Sequence, residues 1–300
     1  MDIFLQQLIN GLTIGSLYAL VALGYTMVYG VMKLINFAHG DLVAFSAFVG
    51  LTIYTQIFGE GVTSIVAVVT VFSFTAALIA MVGVLLERLA YRPLRTAPRL
   101  SAVVSALGAG LVIQNAVMLI WGPNMRVFPS NLLPSTVYEF GGVVFTFTQV
   151  MILGLSSILM VALYIFINRT KIGTAIRAVA IDQDAARLMG INVNRIIMII
   201  FIIGSALGAV AGLFLGIYYR GITFDMGWQY GLNAFVAAIM GGIGNIPGAM
   251  VGGLILGLFN AMISGYISSQ WAEAFTFILL IAILIFRPTG ILGEKVAEKV

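Results

Sequence analysis

The side chains best suited to chemistry in this chain are concentrated in one short stretch, Leu34–Phe45 (LINFAHGDLVAF). It holds His39, the only histidine of the chain, with Asn36 and Asp41 nearby. A metal ion needs several ligands, and there is no second histidine and no cysteine, so a metal site is disfavoured. Two interpretations stay open. His39 could relay protons, since ionisable groups in apolar surroundings are often functional. Alternatively, His39 and Asp41 could fix a helix break or lie near the cytoplasmic interface just past Lys33, where local hydrogen bonds suffice, and this is the favoured interpretation.

The elements that position these residues are predicted to lie in lipid. Of the 300 residues 61% are hydrophobic and 9% are charged, whereas soluble domains carry about 25% charged residues. Lipid permits helices or closed barrels, and the apolar runs are much longer than the roughly ten-residue strands of a barrel. Since a crossing takes about 20 apolar residues, we predict an all-α polytopic membrane protein with about 8–9 transmembrane helices, some of them discontinuous. Residues 1–300 form a single transmembrane domain in this interpretation.

The distribution of basic residues predicts the topology. Apolar segments run approximately over 5–30, 42–58, 62–86, 101–121, 147–167, 196–219, 231–243, 249–268 and 274–286. Three intervals, 87–99, 168–195 and the tail after 286, hold 12 of the 15 Lys and Arg residues. Short basic loops stay in the cytoplasm, so we expect the C-terminus inside. With nine crossings the N-terminus lies outside, as do the loops 121–142 and 219–231. The first run lacks a basic flank and is too long for a secretory signal, so it is predicted to be retained.

Two apolar segments are interrupted by polar residues, glycine or proline. Such interruptions are the best sequence indication of a transporter's pathway, because unwound backbone at membrane depth must be covered by protein or line a water-filled cavity. We therefore predict a helix break over Asn36–Asp41, beside the passage or at its inner mouth. The candidate pathway residues are Asn36, His39, Gly40, Asp41, Gly241, Gly242, Gly244, Asn245 and Pro247.

Glycines recur every four residues in the sixth apolar segment, at Gly204, Gly208, Gly212 and Gly216. They lie on one face of the predicted helix and permit close approach of a second helix. Packing within the chain is favoured over a subunit interface.

The basic interval 168–195 is predicted to contain a short helix. Asp182 is a good N-cap, Gln183–Met189 can form two turns with Asp184 favourable in the first, and Gly190 suits the position after the helix. Because Ala185 and Ala186 have small side chains, the predicted helix has a smooth surface beside Arg187. Such a helix could insert into a groove on a soluble partner or be an ordinary loop helix, and composition does not decide between the two.

Five motifs in this order resemble the branched-chain amino acid permeases of ABC importers, of the LivH type. Asp184–Gly190 (DAARLMG) is similar to the EAA-xxx-G coupling motif, with Asp184 in the usual place of Glu. The other four are ALVALGYTMVYGVMKLINFAHGDLVAF (19–45), ERLAYRPLR (87–95), GGIGNIPGAMVGGLILG (241–257) and FRPTGILG (286–293). The likeness extends over about residues 8–293.

The resemblance implies a non-catalytic translocation subunit in a bacterial inner membrane. Its partners would be a sister permease or a second copy, two cytoplasmic ABC ATPases and an external substrate-binding protein that delivers leucine, isoleucine or valine. The coupling helix would dock on an ATPase. The sequence contains no G-x-x-x-x-G-K-[ST] phosphate loop, so the energy would come from the partners, and no cofactor is predicted.

Three other functions are the alternatives to this one. An ion-coupled secondary transporter would use Asn36, His39 and Asp41 as ion-site candidates but does not require the capped helix. The chemistry of the residues does not exclude an ABC permease for urea or short amides. A membrane enzyme is disfavoured, because clustered acids, bases or metal ligands are nearly absent from the apolar segments.

Overall fold

The computed structural model describes residues 2–59, 62–95 and 97–293, and in these ranges the chain is an almost entirely helical bundle. The described part has eleven α-helices: α1 Asp2–Met32, α2 His39–Ile57, α3 Ile65–Leu86, α4 Arg99–Trp121, α5 Phe147–Arg169, α6 Lys171–Ile181, α7 Gln183–Leu188, α8 Val193–Tyr219, α9 Met226–Gly241, α10 Ile246–Tyr266 and α11 Ala272–Phe286. Helix α3 continues as a π-helix over Glu87–Tyr91 and a 3-10 turn over Arg92–Leu94.

Seven of the described helices are long and apolar enough to cross a membrane: α1, α2, α3 with its extension, α4, α5, α8 and α10. Helices α9 and α11 are shorter, with 16 and 15 residues. Together these nine helices correspond to the nine predicted apolar segments, and the chain is a multi-pass membrane protein. The predicted segment 231–243 is in fact α9, which begins five residues earlier.

Helix α1 forms the centre of the bundle. Its 31 residues span about 46 Å at 1.5 Å per residue, more than the roughly 30 Å of a hydrocarbon core. The run Leu17–Leu23 is almost fully buried, and α8, α9 and α10 pack around it. By contrast, α3, α4 and α5 present large apolar side chains outward, such as Phe74 and Leu119.

One end of the bundle, called here the hairpin end, carries the short strands. Strand β1 (Arg126–Val127) pairs antiparallel with β4 (Gly221–Ile222), and β2 (Val137–Phe140) pairs with β3 (Val143–Thr146). The start of α1 lies here, since the Gln6 amide donates to the Val144 carbonyl at 2.8 Å. The sequence predicted only loops in these segments. The β1–β4 pair joins two loops about 95 residues apart, so no local pattern indicated it.

The opposite end, called the basic end, carries α6, α7, the extension of α3 and the turn between α9 and α10. The Arg95 guanidinium pairs with Glu87 and donates to Asn194 Oδ1 at 2.7 Å, which ties the first two basic intervals together. Burial lowers the pKa of Arg95 while the Glu87 carboxylate opposes that shift. Lys295 and Lys299 of the third basic interval lie outside the described residues.

Candidate translocation and coupling site

The short helix α7 has the caps that its sequence predicts. The backbone N–H groups of Asp184 and Ala185 donate to Asp182 Oδ1 at 2.9 and 3.0 Å. At the other end Gly190 adopts φ +82°, its N–H reaches the Arg187 carbonyl, and the next N–H reaches the Ala186 carbonyl, both at 3.0 Å. This pattern is a Schellman motif. Both ends of a six-residue helix are therefore satisfied, although it is too short to be stable alone.

Helix α7 is fixed to the bundle on one side and exposed on the other. The Gln183 amide donates to the Val31 carbonyl in the last turn of α1 at 3.0 Å, and Ala186 is buried. On the outer side Leu188 and Met189 are 89% and 83% exposed, and Ile181 at the end of α6 is 88% exposed. We call these three side chains the apolar ridge. Large apolar groups exposed together indicate a contact surface.

The first interruption lies three residues earlier in the chain than predicted. Helix α1 ends at Met32, Lys33 has a left-handed φ of +55°, and α2 begins at His39. The break therefore covers 33–38, and the predicted break over Asn36–Asp41 is wrong for its second half. Gly40 is needed for packing instead of unwinding, because a Cβ there would lie 2.9 Å from Gly231 Cα in α9.

The polar groups of this segment have well-defined surroundings. Asn36 is buried, and its Oδ1 accepts a hydrogen bond from the Tyr91 hydroxyl at 2.9 Å. His39 is buried between α1 and α8, where its ring fills the space beside Gly24 and Gly208 and meets the Tyr25 ring edge-on at 5.0 Å. The Asp41 carboxylate lies beside Gly110 of α4. His39 thus occupies a space that two glycines leave open, as a packing role requires.

The second interruption is a tight turn between two helices. Gly241 ends α9, and Gly242 and Gly244 have φ of +106° and +98°, which favour glycine. Asn245 caps α10 by accepting the Gly248 N–H at 3.0 Å. Pro247 lies in the first turn of α10, where its missing N–H costs nothing. Pro247 therefore belongs to a helix rather than to an interruption.

The chain's last described residues cover this turn. The N–H groups of Ile291 and Leu292 donate to the carbonyls of Met240 and Gly241 at 2.8 and 3.0 Å. The Asn245 amide donates to the Leu292 carbonyl at 2.8 Å. The end carbonyls of α9 are satisfied in this way, and the second interruption is held closed at the basic end.

The four glycines of α8 pack against other elements of the same chain. A Cβ on Gly204 would lie 3.4 Å from Gly24 Cα in α1, and one on Gly212 would overlap Ser46 Oγ and the Val43 carbonyl in α2. Gly208 faces His39, and Gly216 faces Phe128. Packing within the chain is therefore what this face of α8 does in the structure.

A cavity of about 480 Å³ opens at the hairpin end between α1, α8, α9, α10 and the start of α11. Gln7, Asn10, Ile14 and Tyr18 line it along one face of α1, a depth of about 16 Å at helical rise. None of the predicted pathway residues lines this cavity. Asn10, Asn233 and Asn260 were not predicted from the sequence as site residues, although a lone amide in an apolar helix is a signal of function.

Several polar groups that line the cavity are held in place by hydrogen bonds. The Asn233 amide donates to the Tyr18 hydroxyl oxygen at 3.4 Å. The Thr276 hydroxyl donates to Asn260 Oδ1 at 2.7 Å, and the Gln149 amide donates to Asn10 Oδ1 at 3.1 Å. Amide groups from α1, α9 and α10 therefore converge on one water-accessible space.

Comparison with known proteins identifies the chain's relatives. The family described as branched-chain amino acid transport system / permease component matches residues 7–284. The high-affinity branched-chain amino acid transport system permease protein BraD of Pseudomonas aeruginosa is 43% identical over 302 residues, covering 99% of this chain and 98% of the relative. LivH of Escherichia coli K12, with the same description, is 42% identical over 301 residues, with 99% and 98% covered.

A more distant relative supports the same assignment. A probable branched-chain amino acid transport permease protein LivH of Methanocaldococcus jannaschii is 30% identical over 309 residues, covering 97% of this chain and 94% of the relative. The capped helix, the nine helices and these full-length matches agree, and the chain belongs to the branched-chain amino acid permease family, as a transport component and not an enzyme.

Proposed function

We propose that this chain is one of the two membrane permeases of an ATP-driven importer of branched-chain amino acids. Its proposed partners are a sister permease or second copy, two cytoplasmic ATPases and an external binding protein. The observation that carries the proposal is α7: it is capped at both ends, tied to α1 and flanked by the apolar ridge. An ion-coupled transporter needs no such exposed surface.

The contacts of α7 provide a route for movement into the bundle. Movement of a partner bound to the apolar ridge would displace Gln183, whose amide donates to a carbonyl in the last turn of α1. The ion pair between Arg187 and Asp184, at 2.9 Å, lies on the exposed side and adds charge to the surface offered to the ATPase. The non-helical segment 33–38 follows α1 directly. Because this segment separates the two helices, α1 can move at this end without moving α2 along the same axis.

We propose that the basic end faces the cytoplasm. Ten described Lys and Arg residues lie toward that end: Lys33, Arg88, Arg92, Arg95, Arg169, Lys171, Arg177, Arg187, Arg195 and Arg287. The hairpin end has Arg126 and Arg220. Retention of basic loops in the cytoplasm then puts the start of α1 outside and the chain's end inside, in the inner membrane of a bacterial cell.

Uptake by the purified complex tests this function. In vesicles with binding protein outside and ATP inside, we expect leucine uptake that vanadate abolishes and ionophores leave unchanged. Unlabelled isoleucine and valine should compete, whereas urea, short amides and polar amino acids should not. Uptake that collapses with an ion gradient would favour the secondary transporter, and competition by urea would favour the amide permease.

A pair of variants tests the role of α7 separately. Leu188→Ser removes part of the apolar ridge, and Val127→Ser removes an exposed apolar side chain of β1 at the hairpin end. We expect the ATPases to dissociate from the first variant during purification and to remain with the second. Equal retention of the ATPases by both variants would contradict docking at the ridge.

A further inference from the structure

We propose that the cavity at the hairpin end is a transient binding site for a zwitterionic aliphatic amino acid, with its carboxylate at Tyr18 and its ammonium toward Glu273. This inference rests on the proposed function and adds to it the place where the solute first meets the permease. The cavity's volume of about 480 Å³ lies within the roughly 300–1,000 Å³ of small-molecule sites.

The floor of the cavity is built to donate hydrogen bonds. Tyr18 is 6% exposed and lines the cavity. Its hydroxyl oxygen accepts from the Asn233 amide. Because this amide N–H donates to the oxygen, the O–H proton of Tyr18 is left for an acceptor in the cavity. A carboxylate is the acceptor that gains most from such a donor.

The neighbouring amides are oriented by bonds to their oxygen atoms. Asn260 Oδ1 accepts from Thr276, and Asn10 Oδ1 accepts from Gln149. With both oxygens engaged inside the protein, the NH₂ groups of these side chains are the parts available to a ligand. The walls of the cavity beside Tyr18, Asn260 and Asn10 are therefore rich in donors and suit an anionic group.

The mouth of the cavity supplies the opposite charge. Glu273 in the first turn of α11 lines the cavity and is exposed. Glu273 and Tyr18 line the same cavity. An ammonium group near Glu273 and a carboxylate at Tyr18 would align a zwitterion along the cavity. Ile14 and Ala261 offer apolar contacts for an aliphatic side chain between them.

Uptake by conservative variants tests this site. Tyr18→Phe removes the O–H and keeps the ring, and Tyr54→Phe is the matched control because Tyr54 is also buried but donates to the Val62 carbonyl outside the cavity. The loss of a hydrogen bond to a charged group lowers an equilibrium constant about tenfold or more. We therefore expect the amount of leucine imported per ATP hydrolysed to fall about tenfold for Tyr18→Phe. Tyr54→Phe should stay within about twofold. Equal transport by the two variants would overturn the assignment.

Chemical labelling tests binding directly. The chain has no cysteine, so Ser264→Cys places the chain's only thiol in the cavity, and Asn124→Cys places one on the exposed turn after α4. In the intact complex, saturating free leucine should slow thiol modification about fivefold at position 264 by mass action and leave position 124 unchanged. Lack of protection, or equal protection by urea, would contradict an amino acid site.

The two proposals can fail separately. If the unmodified complex imports no leucine, the proposed function is wrong, and the labelling of Ser264→Cys still decides whether the cavity binds leucine. If the complex imports leucine and the Tyr18 and Ser264 variants behave like their controls, the function stands and the site is wrong.

Discussion

Replacing Gly212 by alanine should destabilise the bundle, although the same change at Gly154 in the membrane helix α5 should not. A Cβ on Gly212 would overlap the Val43 carbonyl and Ser46 Oγ of α2. The carbonyl is backbone, so α2 must shift, and overpacking of this kind costs about 1–3 kcal/mol. The matched control is Gly154→Ala in α5, where a Cβ meets nothing within 4 Å.

The two variants share the gain in helix propensity and differ in the clash. Alanine gains about 0.8–1 kcal/mol of helix propensity over glycine at either position. We therefore expect Gly154→Ala to be neutral or stabilising by about 1 kcal/mol and Gly212→Ala to be less stable than it by about 1–3 kcal/mol. Gly212→Leu, with a larger side chain, should fail to accumulate in the membrane.

Heating the detergent-solubilised protein and measuring the fraction that still elutes as a monodisperse species gives the comparison. A lower midpoint temperature for Gly212→Ala than for Gly154→Ala is the expected order. Equal midpoints, or normal membrane levels and uptake of Gly212→Leu, would refute the conclusion that α8 packs on α2 through this glycine.

Two further changes test the polar contacts of the basic end. Asp182→Ala removes the N-cap of α7 and should destabilise this helix by about 1 kcal/mol. Because α7 is so short, this loss should unfold it and reduce the amount of ATPase that copurifies. Asn192→Ala removes the N-cap of the long α8 and should leave the copurifying ATPase unchanged. Tyr91→Phe leaves the buried Asn36 oxygen without its donor and should lower the stability of the protein by about 1–3 kcal/mol. Tyr138→Phe, on an exposed strand, should leave the midpoint temperature of thermal unfolding unchanged. A reversed order in either pair of variants would contradict these assignments.

The helices and the caps of α7 could be predicted from the sequence because their causes are local. Lipid requires long apolar helices, and the N-cap of α7 depends on Asp182 and the backbone N–H groups two and three residues after it. The glycine face of α8 was also predictable, since a four-residue spacing lies within one helix. Its partners in α1 and α2 were not, because nothing in α8 specifies which helix approaches it.

The limits of the first interruption were missed because one residue type has two uses. Gly40 beside His39 and Asp41 indicated unwinding, but in the structure Gly40 admits α9 at close range. A glycine that breaks a helix and a glycine that packs a helix have the same local sequence. The cavity was missed for the related reason that Tyr18, Asn233 and Asn260 lie in three helices, and their convergence depends on how those helices pack.

The close packing of α1 has a consequence for coupling. Gly257 of α10 meets Gly15 of α1, and Gly253 meets Ala19, so the two helices touch backbone to backbone and cannot slide past each other without separating. Such interfaces change between discrete arrangements rather than deforming continuously. With α7 as the proposed coupling helix, we expect a displacement of Val31 to be transmitted along α1 to Tyr18, about 20 Å away at helical rise, and α10 to move with α1. Helix α11 packs less extensively and carries Glu273. It forms the wall of the cavity relative to which α1 and α10 would move together.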